Sequence, residues 1–167
     1  MSLIVETGTG SATAESLISV ADCDTYHAAR GNATWATITT AQKEQALRRS
    51  TEFMYEAFTN RWQGYRSNPS VQALDWPRQG AVVNCVMIMS DVVPETVKRA
   101  CAEMALRAAA GPLLDDLTQG VTSETVGAIS VTYDKTSNRK TRYASVEALL
   151  QPFLKAGGGV SVGLART

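Results

Sequence analysis

The clearest pattern of hydrophobic and polar positions lies between residues 39 and 58. Leu47, Thr51, Met54 and Phe58 recur at intervals of three or four residues, the spacing that puts side chains on one face of an α-helix. The charged residues between them fall elsewhere on the helix. The segment opens with a Thr-x-x-Gln pattern at residue 39, which is typical of a capping box. The pattern therefore predicts a long amphipathic helix.

Three further helices are predicted mainly from signals at their ends. Ser19 is a good N-cap for a first helix, and Gly31 stands where a left-handed residue would follow it. Pro94 is favoured at the first position of a later helix, which the Gly-Pro pair at 111–112 stops. A short last helix is predicted over residues 145–154, with a proline inside it or at its end.

The hydrophobic period changes to two towards the C-terminus. Ile129, Val131 and Tyr133 alternate with hydroxyl residues, so residues 121–133 are predicted to form a β-hairpin or one bent strand. Residues 60–91 show no long period. The two tryptophans in that segment indicate a loop that is packed against the helices.

The composition of the last eleven residues predicts a C-terminal tail. Residues 157–167 contain four glycines and too few apolar side chains to pack alone, so a flexible tail that becomes ordered on a partner is expected. We therefore expect a helical domain over residues 1–155 and a Gly-rich tail over residues 156–167. The fold class is mainly α: a small helical bundle with a β-hairpin or bent strand and an extended C-terminal tail.

Composition narrows the function classes. The 167 residues carry sixteen basic and sixteen acidic side chains, whereas proteins that grip nucleic acid with their own surface usually have a basic excess. A local basic patch remains compatible with this balance. No apolar run approaches the length that spans a bilayer, and the N-terminus lacks the features of a secretory signal, which predicts folding in a cytoplasm.

Cysteine and histidine usage gives little support to metal or disulfide chemistry. Cys23, Cys85 and Cys101 are far apart and odd in number, so they are best interpreted as buried small hydrophobic residues. A zinc site made with His27 is the alternative, but only Cys23 and His27 have a spacing suited to ligands. We expect no metal and no cofactor.

No arrangement of residues suggests catalysis. His27, the only histidine, lies on a predicted helix, and no nucleophile elbow, Walker A sequence or dinucleotide fingerprint occurs in the chain. A buried or satisfied histidine is the favoured interpretation. The protein is expected to be non-enzymatic, with no small-molecule substrate.

A cluster of aromatic and basic residues is the strongest indication of nucleic-acid binding in the sequence. Aromatic faces can stack on unpaired bases while guanidinium groups meet phosphates, which is a recipe for single-stranded binding. The same residues could instead pin an irregular loop to the helices, with the tryptophans buried. Packing is favoured, because the neutral net charge gives no electrostatic attraction. The cluster comprises Arg61, Trp62, Tyr65, Arg66, Trp76 and Arg78.

A second basic cluster follows the predicted strand. Lys135, Arg139, Lys140 and Arg142 stand in one polar loop. In a single subunit such a loop would simply be solvated. In a ring, the same loop from every copy would line a channel with positive charge and could guide DNA through it. The sequence leaves both interpretations open.

Six sequence blocks stand out along the chain. They are Leu-Ile-Val-Glu-Thr-Gly-Thr-Gly at 3–10, Ser-Leu-Ile-Ser-Val-Ala-Asp at 16–22, Ala-Ala-Arg-Gly-Asn at 28–32, Arg-Trp-Gln-Gly at 61–64, Gln-Ala-Leu-Asp-Trp-Pro-Arg at 72–78 and Pro-Glu-Thr-Val-Lys-Arg-Ala at 94–100. These blocks resemble a phage and prophage family labelled DnaT-like single-stranded-DNA-binding proteins, and the likeness runs from residue 3 to about residue 155.

A second resemblance lies in the strand at 123–133, which is similar to the Ser-Glu-x-x-Gly-x-x-Ser-Val-x-Tyr strand of phage head–tail adaptor (connector) proteins. It implies a dodecameric ring of structural subunits at the neck of the virion, giving passage to genomic double-stranded DNA. The implied partners are other copies, the portal protein, and tail or nozzle proteins, with assembly in the host cytoplasm and no membrane. The alternative is a DnaT-like single-stranded-DNA-binding replication accessory.

A ring needs two different patches on each copy, and the alanine-rich helix after Pro94 and the amphipathic second helix are candidates for them. The tail would bind the portal or tail proteins. Its residues are Gly157, Gly158, Gly159, Val160, Ser161, Val162, Gly163, Leu164, Ala165, Arg166 and Thr167.

Overall fold

Five α-helices and three small hairpins build the part of the chain that the computed structural model describes, which is residues 2–113, 123–126, 129–132 and 143–155. The fold is mainly α, as predicted. The elements in chain order are α1 (Val20–Ala28), α2 (Ala33–Thr37), α3 (Thr40–Phe58), β1 (Tyr65–Arg66), β2 (Arg78–Gln79), β3 (Val82–Val83), β4 (Val86–Met87), α4 (Glu95–Ala110), β5 (Ser123–Val126), β6 (Ile129–Thr132), α5 (Ala144–Leu150) and a 3₁₀ turn (Gln151–Phe153).

Two helices begin at the predicted capping residues, whereas Pro94 stands at the N-cap of α4, one position before the helix begins. The Ser19 hydroxyl accepts a hydrogen bond from the Asp22 N–H at 3.1 Å, and Gly31 has a φ of +69° just after α1. At α3 both halves of the capping box form between Thr39 and Gln42, with distances of 3.3 and 2.9 Å. These helices therefore begin where local chemistry satisfies their free N–H groups.

The core lies mainly between the two long helices. α3 and α4 share the most extensive contact of the fold, and α1 and α5 cover further sides of α4. This arrangement changes the role expected for the alanines of α4. Most of them are buried inside the subunit, so close packing of small residues serves this chain's own core and leaves those faces unavailable to a neighbouring copy. The buried alanines are Ala100, Ala102, Ala105 and Ala108.

The irregular segment between α3 and α4 contains two hairpins that the periodicity did not reveal. β1 pairs antiparallel with β2, and β3 pairs antiparallel with β4. Each strand has only two residues, too few to show an alternating pattern. The short helix α2 was also missed, since five residues carry no helical period.

The C-terminal elements agree with the sequence in outline. β5 and β6 pair antiparallel, with Ser123 opposite Thr132, so the hairpin alternative is correct and the single bent strand is wrong. The last helix ends at Leu150 and continues as the 3₁₀ turn that contains Pro152. The basic loop with Lys135, Arg139, Lys140 and Arg142, and the tail over residues 156–167, lie outside the described residues. Across the described ranges, every helix is too short or too polar to cross a bilayer.

Candidate nucleic-acid interface

The aromatic and basic cluster is fixed to the C-terminal end of the domain by backbone pairing. The Gln63 N–H donates to the Phe153 carbonyl at 2.9 Å, and the Lys155 N–H donates to the Arg61 carbonyl at 2.7 Å. Trp62 forms an antiparallel bridge with Leu154 between these two bonds. The segment is therefore held as firmly as a strand in a small sheet, although most of it has no regular structure.

The two tryptophans of the cluster are buried. Trp62 is 1% exposed and Trp76 is fully buried, and their rings meet edge to face at 5.7 Å. Phe58 lies beside Trp62, and Phe153 packs edge-on against Trp76 at 5.8 Å. Bases cannot stack on rings whose faces are already covered, so the packing interpretation of these residues is correct.

Asp75 organises the polar side chains of the same segment. It is 6% exposed and accepts hydrogen bonds from the Thr59 hydroxyl at 2.5 Å and from the Trp62 Nε1–H at 3.1 Å. Arg66 donates to its other oxygen through Nε and Nη2, at 3.3 and 3.2 Å. A buried carboxylate is tolerated when its oxygens are paired in this way.

Arg78 is also committed inside the domain. Its guanidinium donates to the carbonyls of Gln63 and Gly64 at 2.8 Å each, and to the Asp75 carbonyl at 3.1 Å. Burial lowers the pKa of Arg78, yet three carbonyl acceptors and the Asp75 carboxylate 3.7 Å away hold the charged form. Arg78 therefore connects its own loop to the backbone at residues 63–64, and its guanidinium is not available to a ligand.

Two residues of the cluster remain on the surface. The Tyr65 side chain is 66% exposed, and Arg61 is exposed with its guanidinium 5.1 Å from the Phe58 ring. Lys155, which sequence reasoning did not include, is exposed beside Arg61, and its Nζ lies 3.4 Å from the Asn60 carbonyl. One aromatic ring and two cations are thus available, whereas the alternative interpretation assigned six residues to a single-stranded-DNA surface.

The Gly-rich N-terminal loop has its backbone donors occupied by a carboxylate from the chain itself. Glu6 is buried and accepts from the N–H groups of Gly8, Gly10 and Ser11 at 2.8, 3.0 and 2.8 Å. Successive N–H groups of this kind form an anion site. Because Glu6 fills it, a phosphate has no place there. At Gly8, with a φ of +110°, a Cβ would meet the Asp91 carbonyl oxygen at 1.9 Å.

His27 and the buried thiols do not form a reactive centre. The His27 ring lies 3.1 Å from the Ala102 carbonyl through Nε2 and 2.9 Å from the Asn32 amide through Nδ1. Burial lowers the pKa of this histidine, so the neutral tautomer with a proton on Nε2 fits both contacts. Burial raises the pKa of the Cys23 and Cys101 thiols, which keeps them protonated. Among the described residues, no three potential ligands are grouped for a metal.

The sequence could have pointed to Asp75 but not to Lys155. Asp75 is the one acidic residue in a block rich in tryptophan and arginine, and a buried carboxylate is the natural partner for arginines in a packed loop. Lys155 reaches Arg61 only through the tertiary fold, across 94 positions of sequence. No local pattern signals that contact.

Comparison with known proteins identifies a family. The model of the family described as "Putative DnaT-like ssDNA binding protein" matches residues 1–167, the whole chain. No curated protein and no solved structure matches the chain.

Proposed function

Since the chain belongs to the family of DnaT-like ssDNA binding proteins, we propose that it is a non-enzymatic accessory protein of replication that binds single-stranded DNA. The observation that carries the proposal is the family match over the full length. The geometry refines it, because the tryptophans and Arg78 are buried and cannot serve as the contact surface.

We assign the contact to Tyr65, Arg61 and Lys155. The exposed tyrosine ring can stack on one base, and the two cations can neutralise phosphates of the same strand. Their neighbours support this role. Arg61 has no carboxylate partner among the described residues, and its backbone is fixed by the hydrogen bond from Lys155.

The test is binding of a labelled oligothymidine to the full chain, followed by fluorescence anisotropy at several salt concentrations. Replacing Tyr65 by alanine should weaken binding about tenfold, since base–aromatic stacking contributes roughly 1–3 kcal/mol. The double change Arg61→Ala with Lys155→Ala should flatten the slope of log K against log salt by about 1.4, because two phosphate contacts are lost.

Arg30→Ala is the matched control. Arg30 is an exposed arginine whose guanidinium lies 3.6 Å from the Tyr26 ring, so it has the same chemistry in another part of the fold. Its loss should leave affinity and salt slope unchanged. The proposal fails if the wild-type chain does not bind the oligonucleotide, or if Arg30→Ala weakens binding as much as the two assigned changes.

A second candidate is the head–tail adaptor, a ring subunit in the virion neck that contacts the portal and tail proteins and lets DNA pass. One observation favours it: the β3–β4 hairpin presents an outward apolar face made of Val82, Met87 and Met89, which are 41%, 69% and 66% exposed. Apolar patches on a surface are typical of contacts with other proteins. The loop with Lys135, Arg139, Lys140 and Arg142 would line the channel.

The two candidates predict different assemblies, and different experiments therefore test them. An adaptor should form closed rings alone or on the portal protein, and native mass measurement or negative-stain imaging would reveal them. Deleting residues 157–167 should leave the domain folded but abolish attachment to its neighbour. Particle assembly that is unchanged by this truncation would contradict the adaptor role, while oligonucleotide binding tests the accessory role separately.

A further inference from the structure

The β3–β4 hairpin exposes apolar side chains in an ordered and regular way. Val82 pairs with Met87, and Val83 pairs with Val86. Because side chains alternate between the two faces of a strand, Val83 and Ile88 turn towards the core, where both are partly buried. Val82, Met87 and Met89 turn away from it. The outward face is therefore set by the strand register.

Three side chains form what we call the outward apolar patch: Val82, Met87 and Met89. All three are large and exposed, which is uncommon for neighbours on one small hairpin.

The described C-terminal end of the domain stops next to this hairpin. The Gln63 side chain joins the two, since its Nε2 donates to the carbonyls of Pro152 and Leu154 and its Oε1 accepts from the Val82 N–H at 3.2 Å. A single carboxamide group thus bridges the last turn of the domain and strand β3. Twelve residues, 156–167, continue from that point.

The sequence of the continuing segment matches the patch. Three glycines at 157–159 are followed by Val160, Val162 and Leu164, which alternate with Ser161 and Gly163. In any extended chain, side chains that alternate with a period of two lie on one side. Val160 lies five residues beyond Lys155, so it can reach up to roughly 17 Å from that residue.

We propose that residues 160–164 of the same chain cover the outward apolar patch. The short glycine link gives the segment a high effective concentration at the hairpin, on the order of millimolar, so modest apolar contacts suffice to hold it there. Burial of the patch by the chain's own C-terminal segment also keeps three large apolar side chains from water. The inference does not depend on the proposed binding of single-stranded DNA, whereas the adaptor candidate would assign the same patch to another protein.

The chain supplies its own probe for a test. Cys85 is exposed in the turn of the hairpin, whereas Cys23 and Cys101 are buried. In the full-length protein carrying Val162→Cys, mild oxidation should join Cys85 to the introduced thiol within one chain. Non-reducing electrophoresis and peptide mapping would measure the product. We expect about tenfold more of it than for Thr37→Cys, which places a thiol on an exposed position of α2.

Either of two results from this experiment overturns the inference. A disulfide mainly between two chains would mean that a second copy occupies the patch. A yield no higher than that of Thr37→Cys would mean that the segment does not reach it.

Methionine oxidation gives an independent measurement without an added cysteine. Peroxide should oxidise Met87 and Met89 roughly threefold faster after deletion of residues 157–167, because exposure controls the rate. Buried Met54 and Met104 serve as internal references. The triple change Val160→Ser, Val162→Ser and Leu164→Ser should act like the deletion, and Ser161→Ala should not. Equal rates at Met87 and Met89 in the intact and shortened chains contradict the inference.

Discussion

Two neighbouring segments of this protein reverse the usual distribution of polar and apolar residues between the surface and the core. Residues 61–78 contain tryptophans, arginines and an aspartate, and most of these side chains are buried. Residues 82–89 contain valines and methionines, and most of these are exposed. Both segments lie between α3 and α4, and both are built on hairpins with two-residue strands. Residue type alone therefore does not decide which segment enters the core.

Satisfied hydrogen bonds explain the burial of the first segment. Asp75, Arg66, Arg78 and Trp62 use one another and nearby carbonyls as partners, so their polar groups do not need water. In the second segment the strands pair with each other, the Val82 N–H donates to the Gln63 side chain, and two side chains, Val83 and Ile88, turn inward. Its other apolar side chains are exposed among the described residues. A further contact that buries them would therefore stabilise this segment.

The largest effect is expected from removing the carboxylate at the centre of the first segment. Asp75→Ala would leave two largely buried guanidiniums without their acidic partner, and breaking such a pair costs about 3–5 kcal/mol. Urea unfolding measures this loss. Glu56→Ala, at an exposed position on α3, should change the free energy of unfolding by less than about 0.5 kcal/mol. A loss below about 1 kcal/mol for Asp75→Ala would mean that the buried arginines do not depend on it.

A second prediction concerns His27, a buried polar side chain outside the two segments. Burial lowers the pKa of His27 below its ordinary value. The unfolded chain takes up a proton near pH 6.5, while the folded chain stays neutral until a lower pH is reached. The free energy of unfolding should therefore fall as the pH drops below about 6.5, by at most about 1.4 kcal/mol per unit. Above about pH 6.5 the histidine is neutral in both the folded and the unfolded chain, so its protonation does not lower the free energy of unfolding.

Unfolding at pH 7.5 and 5.5 checks the prediction. His27→Gln keeps a polar side chain that does not titrate, and His27 is the only histidine in the chain, so the difference between the two proteins isolates its ionisation. Identical pH dependence in both would show that the folded histidine titrates normally.

The two buried tryptophans allow a finer comparison within the first segment. The Trp62 Nε1–H donates to Asp75, whereas the Trp76 Nε1–H has no partner in the part of the chain that the structure describes. Replacement by phenylalanine removes similar volume at both positions. Trp62→Phe should therefore be more destabilising than Trp76→Phe by about 1 kcal/mol, the usual value of one hydrogen bond. Thermal or urea unfolding would show the order, and the reverse order would contradict it.

Local signals in the sequence account for much of the helical frame. The capping box at Thr39, the N-cap at Ser19 and the stop after Ala110 concern residues within one helical turn of each other, so they can be recognised without knowing the fold. The pairing of β5 with β6 is also local, since only two positions of sequence separate the strands. Such features depend on neighbours along the chain, and sequence patterns record them.

The candidate site was less predictable because its contacts are distant in sequence. Lys155 meets Arg61, and Gln63 joins the last turn to β3, only after the whole domain has folded. A valine and methionine-rich segment such as 82–89 would by composition be assigned to the core. The exposure of Val82, Met87 and Met89 follows from the register of a two-residue hairpin, which the sequence does not display.

The smallest effect is expected on the exposed hairpin, and it completes the contrast between the two segments. Met87 is 69% exposed and Met104 is fully buried between helices. Met104→Ala removes a core side chain and should lower the free energy of unfolding by about 2–5 kcal/mol. Met87→Ala should change it by less than about 0.5 kcal/mol in a chain shortened by residues 157–167. In the full-length chain any larger loss at Met87 would have to come from the segment that covers it, so urea unfolding of the two lengths side by side separates the hairpin's own stability from that of its cover.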